Sequence, residues 1–311
     1  MSASDPPFAP PRQIGSLDDC YFYHSMTLPG HGDVSGEWDL RGREADYLGH
    51  IDVAGKRILE IGTASGHLAF WMEQRGAEVT GYDLSEDQAW DLVPYAARSD
   101  VEALVAGRKR HIRRINNSWW FARACLGAKA RVVYGSVYEL SPEIGTFDVV
   151  TLGSILLHLR DPILAMQKAG RLARETLVVS DVLTPSGDEA AAALLGQGRM
   201  ARFLPDALAL SPVETWWGLS PHLVAQVVMI LGFGDVRLSL HRQRHAGGEV
   251  NLYTIVPRRG SGPPHYDEGQ YARRIAEQFG YEELLLRRIP LPRLLTHLRK
   301  RVLERIGVGR R

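Results

Sequence analysis

Cysteine is scarce: the 311 residues contain two, Cys20 and Cys125. They lie far apart and lack the paired spacing of a zinc site, so neither a disulfide framework nor a cysteine-held metal is expected. Free thiols in a reducing cytoplasm are the simplest reading. Histidine and carboxylates form no cluster at ligand spacing, so no metal is expected. No apolar run reaches the roughly 18 residues of a membrane span. The opening segment MSASDPPFAPP has no basic start and no apolar run, so it is not expected to be a signal peptide. Internal repeats are lacking too. Net charge is only +1, which by itself argues neither for nor against a nucleic-acid partner. That charge is unevenly placed. Arg287 to Arg311 holds nine Lys/Arg and one acid, net +8, which leaves −7 on residues 1–286.

The rest of the composition is that of an ordinary globular protein, and one stretch organises it: KRILEIGTASGHLAFWMEQRGAEVTGYD, Lys56 to Asp83. Ile58, Leu59 and Ile61 form the short apolar run of a strand buried on both faces. A turn follows at Gly62-Thr63-Ala64-Ser65-Gly66. Leu68, Ala69 and Met72 then fall at helical spacing, and Arg75-Gly76 ends the helix. A second strand, Glu78 to Tyr82, runs into Asp83. Gly62 permits a sharp turn, and Gly66 is expected to let the helix begin close to a ligand. Asp83, 21 residues after Gly62, sits where a carboxylate can take both hydroxyls of a ribose. This is a nucleoside site. A dinucleotide fingerprint would need glycine where Ala64 and His67 stand, so pyrophosphate is a poor fit.

Strands and helices continue to alternate along the chain. Further strands are expected at Arg131–Tyr134, Phe147–Leu152 and Glu175–Asp181, followed by an antiparallel pair at Asp235–Leu240 and Glu249–Val256. Glu44 to His50 is expected to be a short helix. Ser85 and Gln88 form a capping-box pattern for a helix after Asp83. Arg98 to Gly127 reads as a long helix. In it Arg108, Lys109, Arg110, Arg113 and Arg114 surround His111 and precede Trp119, Trp120 and Phe121. This is either a polyanion-binding face or a solvated face anchored by its tryptophans. Residues 182–220 read as a cap over the sheet's carboxyl edge. The expected organisation is an N-terminal extension or lid at 1–54, a core at 55–257, and a linker with a basic helical tail at 258–311. The tail docks on its own core, lies on an anionic membrane surface, or meets a polyanion.

Glu60, Gly62, Ala64 and Gly66 resemble motif I of the class I S-adenosylmethionine (SAM) methyltransferases, with alanine for the middle glycine. YHSMTLPG, GEWDLRG, GSILLHLRDP, TWWGLSP and LGFGDV resemble the tRNA wobble-uridine methyltransferase and carboxymethyltransferase family and its relatives, over residues 20–257. The resemblance implies an α/β Rossmann-like fold with a seven-stranded sheet, and SAM held by Glu60, Gly62, Ala64, Ser65, Gly66, Asp83, Leu84, Ser136 and Val137. Ser136 stands where the family places an acidic residue. The carboxymethyl enzymes hold an extra cofactor carboxylate with a lysine ahead of the core. Tyr21 to Ser25 contains none, which favours SAM over carboxy-SAM. The implied reaction is methyl transfer to a hydroxyl of a small molecule or glycan. A tRNA acceptor is the alternative, and a SAM-binding protein without turnover the second. His158, after the fourth strand, is the candidate acid/base. Tyr23, His24, His31, Trp216 and Trp217 are candidate walls of the acceptor pocket, His24 and His31 also being secondary candidates for proton transfer.

Overall fold

The computed structural model describes residues 8–183, 198–260 and 266–267. Within them lies an eight-stranded sheet. Its parallel half is built from β4 (Arg57–Ile61), β5 (Glu78–Asp83), β6 (Arg131–Tyr134), β7 (Phe147–Gly153) and β8 (Ala173–Val182). These strands stand in the order β8-β7-β4-β5-β6. Side-chain alternation along β4 assigns its two faces. Leu59 and Ile61 enter one apolar cluster with α4 (Pro162–Leu172) and α5 (Pro221–Ile230). Ile58 enters the other, with α2 (His67–Glu73) and residues 20–48. Glu60 shares the second face.

The sheet is completed by β11 (Gly234–His245) and β12 (Gly248–Arg258), with β12 antiparallel to β8. This is the sheet order of a class I methyltransferase. The two strands are longer than their apolar residues suggested. Ala246 and Gly247 both have positive φ, 47° and 82°, as a two-residue type I′ hairpin requires. The turn lets the polar run Leu240–His245 continue the ladder. That extension pairs with β3 (Trp38–Asp39), an eighth strand beyond the seven expected. A smaller ribbon pairs β1 (Met26–Leu28) with β2 (Gly32–Val34). Another pairs β9 (Ala201–Phe203) with β10 (Trp217–Leu219).

The helix expected after Asp83 is not formed. Its capping hydrogen bond exists, from Ser85 N to Gln88 Oε1 at 2.9 Å, but it closes only a turn. Residues 88–95 are instead drawn across the sheet edge: Val93 N donates to Val213 O at 2.9 Å, and Trp216 Nε1 to Asp91 O at 2.8 Å. The long basic helix is α3 (Val101–Leu126), ended by Gly127 in the left-handed conformation. Trp119, Trp120 and Phe121 on it are 1%, 3% and 7% exposed, so they are core and offer no stacking platform. The basic tail and residues 184–197 of the expected cap lie outside the described residues. Among those described, no helix is long and apolar enough to cross a membrane.

Candidate active site

The turn between β4 and α2 is held from below by Asp83. Its Oδ2 accepts from Ala64 N at 2.7 Å and its Oδ1 from Leu84 N at 2.8 Å. Each oxygen keeps a free lone pair for a ligand hydroxyl. Gly62 has φ of 82°, and a Cβ there would lie 2.4 Å from Ile155 Cγ2. Ala64 adopts φ of 46° despite its side chain, a strain of order 1–3 kcal/mol that the Asp83 contact holds in place. Gly66 serves a different need from the one expected. A Cβ on it would meet Phe70 at 2.5 Å and Trp119 at 2.7 Å, so glycine is required for packing between α2 and α3. Ser65 is likewise turned from the ligand side. Its buried Oγ accepts from Tyr23 N and His24 N, at 2.8 and 2.9 Å, and thereby pins the N-terminal segment to the turn.

Two adjoining cavities open above this turn, of about 410 and 280 Å³. They share Gly62, Asp83, Trp90, Ile155 and His158. The smaller is a slot lined by Leu84, Gly135, Ser136, Val137 and Tyr138. Ser136 Oγ accepts from Tyr138 N at 3.3 Å. The larger is lined by Glu60, Tyr23 and His24, and by Glu37, Arg108 and Glu214 among others. Glu60 is 4% exposed and takes a 2.6 Å hydrogen bond from Thr63 Oγ1. Burial pushes its carboxyl up to about 8, opposed by that bond and reinforced by Asp83. Asp83 is also raised by burial. Two buried carboxylates facing one cavity ask for a ligand with hydroxyls and a positive charge.

His158 lines both cavities. Its Nδ1 lies 2.7 Å from the Glu214 carbonyl oxygen. A carbonyl only accepts, so Nδ1 carries the proton and Nε2 presents a lone pair. Burial holds the imidazole below its ordinary value, against the carbonyl's opposing pull, so the ring is neutral near pH 7. Glu214 in turn pairs its carboxylate with Arg108 Nε. His24, buried and lacking a partner for Nδ1, is held down to about 3 by burial, with His67 adding to the shift.

The remaining expected wall residues are elsewhere. His31 is exposed and meets Phe121 edge-on, with ring centroids 5.0 Å apart. Trp216 and Trp217 do not line either cavity; their indoles donate to Asp91 O and Arg160 O. They pin the strap that carries Glu214; the Trp216 indole is buried and its N–H needs an acceptor, while Trp217 is half-buried. Sequence reasoning missed Tyr21, Glu37, Trp90, Glu214, Tyr47 and Ser154. Ser154 stands at the end of β7 with φ of 49°, its hydroxyl 2.9 Å from Tyr47 Oη. The basic run on α3 contributes Arg108 and His111 to the cavity. Arg114 is spent on the carbonyls of Asp18 and Cys20. Among the described residues no group of three His, Cys, Asp or Glu is arranged to hold a metal.

Residues 39–223, more than half of the chain, match the family described as "Methyltransferase domain". The chain belongs to that family. A ubiquinone biosynthesis O-methyltransferase of Dechloromonas aromatica (strain RCB) is 32% identical over 138 residues, 44% of this chain and 48% of that protein. A tRNA U34 carboxymethyltransferase of Idiomarina loihiensis is 29% identical over 190 residues, 57% of this chain and 50% of that protein. The chain spans about half the length of these curated relatives. Among solved structures, magnesium protoporphyrin IX methyltransferase from Synechocystis PCC 6803, with bound SAH, is 14% identical at a TM-score of 0.45, covering 70% of this chain and 80% of that one.

The cofactor of a methyltransferase domain of this fold is SAM, and the residues present fit it. Asp83 offers paired acceptors to a ribose diol. The slot of Leu84, Ser136 and Val137 suits a flat base. The buried carboxylate of Glu60 suits the cationic end of the molecule.

Proposed function

We propose that the chain transfers a methyl group from SAM to a hydroxyl of a small-molecule or glycan acceptor. The observation that carries this reading is the His158 ring: neutral, fixed in one tautomer by the Glu214 carbonyl, and lining the junction of the two cavities. When bound, SAM supplies a methyl already activated on a sulfonium. The chain's own part is to hold and align the acceptor and to exclude water. His158 Nε2 receives the proton that the hydroxyl loses as its oxygen becomes an ether. Glu60, Gly62, Ala64, Asp83, Leu84, Ser136 and Val137 form the cofactor side of this proposal. Ser65 and Gly66 support it by holding the lid segment and the helix start. Such a ring favours turnover over SAM binding alone.

A tRNA acceptor is the second reading, supported by the likeness to the U34 carboxymethyltransferase. The described part of α3 speaks against it, since its aromatics are core and Arg108, Arg113 and Arg114 each contact protein groups. The test begins with mass spectrometry of small molecules released from the purified protein, then titration with SAM, carboxy-SAM and NAD. SAM or its demethylated product, with SAM binding best, supports the reading. A preference for carboxy-SAM, with salt-sensitive tRNA binding, transfers it to the wobble-uridine class. Binding of NAD alone overturns it.

A further inference from the structure

The larger cavity has a composition that methyl transfer does not itself require. Four carboxylates line it, Glu37, Glu60, Asp83 and Glu214, against one guanidinium, Arg108. Glu60 and Asp83 are assigned above to the cofactor. Of the other two, Arg108 neutralises Glu214, and Glu37 is left with no cationic partner among the described residues. Its only side-chain partner there is the hydroxyl of Tyr21. The histidines do not make up the difference, because burial holds His24, His111 and His158 in the neutral form.

Tyr21, which bonds this carboxylate through its hydroxyl, belongs to a row of rings lining the same cavity. Tyr21 and His111 have centroids 4.3 Å apart, and Trp90 and His111 5.5 Å. The same chemistry is already occupied next door. The Arg108 guanidinium lies 5.2 Å from the Trp90 centroid while it pairs with Glu214, a cation held by a ring face and a carboxylate. Glu37 with Tyr21 and His111 repeats that pairing without a cation in it. His24 also lines this cavity; it is 7% exposed and its Nδ1 has no hydrogen-bond partner among the described residues.

We propose that the acceptor is a hydroxylated amine, its protonated nitrogen seated on Glu37 beside the Tyr21 and His111 rings while its hydroxyl reaches His158. The inference rests on the methyl-transfer reading and narrows its acceptor class. Anionic acceptors are disfavoured by the same residues, since a second negative charge beside Glu37 is repelled where water is partly excluded.

The test uses the full chain saturated with SAH and two matched triplets of probes. One is glucosamine, glucose and glucuronate; the other is dopamine, 4-methylcatechol and 3,4-dihydroxybenzoate. Isothermal titration should show, in at least one triplet, the amine binding about tenfold tighter than its neutral counterpart and the carboxylate weakest. Glu37→Gln should bring the amine and neutral members to equal affinity, with SAH affinity and melting temperature unchanged. Glu37→Asp should keep the preference. Equal or better binding by the neutral or anionic member overturns the proposal. So does a preference that survives Glu37→Gln, or the absence of binding by either amine. A chain that binds no SAH removes the methyl-transfer reading and this inference with it. A chain that binds SAH but shows no amine preference removes this inference alone.

Discussion

His158 and Glu214 are joined through a main-chain carbonyl, with Nδ1 2.7 Å from the oxygen, and Glu214 is itself gripped by Arg108 from α3. One residue therefore touches the imidazole with its backbone and lines the larger cavity with its side chain. The orientation of the imidazole depends on a strap far away in sequence, and its Nε2 lone pair is fixed without any carboxylate partner.

Replacing His158 tests that arrangement. His158→Gln should lower kcat by about 10²–10⁴, the usual worth of a positioned general base, while SAM affinity stays as it was. The wild-type acid limb of kcat/KM should fall below pH 6.5, because burial lowers the imidazole pKa, and the variant should lose that limb. A variant with undiminished kcat removes His158 from the chemistry.

Glu60 predicts a pH dependence of cofactor binding. Its carboxyl titrates near 8 in the folded chain without ligand, above the ordinary carboxylate value. The folded state therefore holds a proton that the unfolded state releases. The stabilising contribution is complete at acidic pH, below the unfolded value, and is lost as pH rises towards and through about 8. A cationic ligand reverses the preference, so SAM affinity should rise over the same window, with proton release on binding below about 8. Calorimetry in buffers of different ionisation enthalpy reads this directly. Glu60→Gln should abolish the proton release.

Asp83→Asn should weaken SAM binding by roughly 1.5–3 kcal/mol, the scale of hydrogen bonds to a charged group. Asp83→Ala should abolish measurable binding, because it also frees Ala64 N and Leu84 N, with the fold retained by circular dichroism. Normal SAM affinity in the alanine variant would show that the cofactor lies elsewhere.

Ser65→Ala should act on the N-terminal segment at Tyr23 and His24. The substitution leaves the N–H groups of Tyr23 and His24 without their acceptor, each worth roughly 1–3 kcal/mol when buried and unpaired. Hydrogen exchange at those two amides should accelerate while α4 and α5 keep their protection. Unchanged exchange would mean that the segment is held by its apolar contacts alone.

The β4–α2 turn and Asp83 were legible in the sequence because strand, glycine turn and acid lie within one contiguous stretch whose spacing encodes their geometry. The alternation of strands and helices was legible from apolar runs, and the seven-stranded arrangement only through the family resemblance. Trp119 and Trp120 were ambiguous because helical spacing puts them on the same faces as Arg108, Lys109 and Arg113; what separates them is position along α3, where every residue from Ser118 to Ala122 is buried. Gly66 was read as a ligand contact, yet its constraint comes from Trp119, 53 positions on. Glu37 and Glu214 were invisible because each becomes a cavity wall only when segments distant in sequence meet. Trp216 and Trp217 looked like pocket walls because aromatics near a sheet edge often are. Their indole N–H groups found carbonyls instead.

The β11–β12 hairpin has a temporal consequence. Its polar extension reaches back to β3, and Ala246 N donates to the carbonyl of Glu37 at 2.8 Å; Arg43 and Glu249 close the same junction across 206 positions. The nucleotide-type turn can form from local segments while the chain is still emerging from the ribosome. The wall bearing Glu37 waits for strands made near the end of the described core. The long sequence separation of that junction places its closure among the late steps of folding.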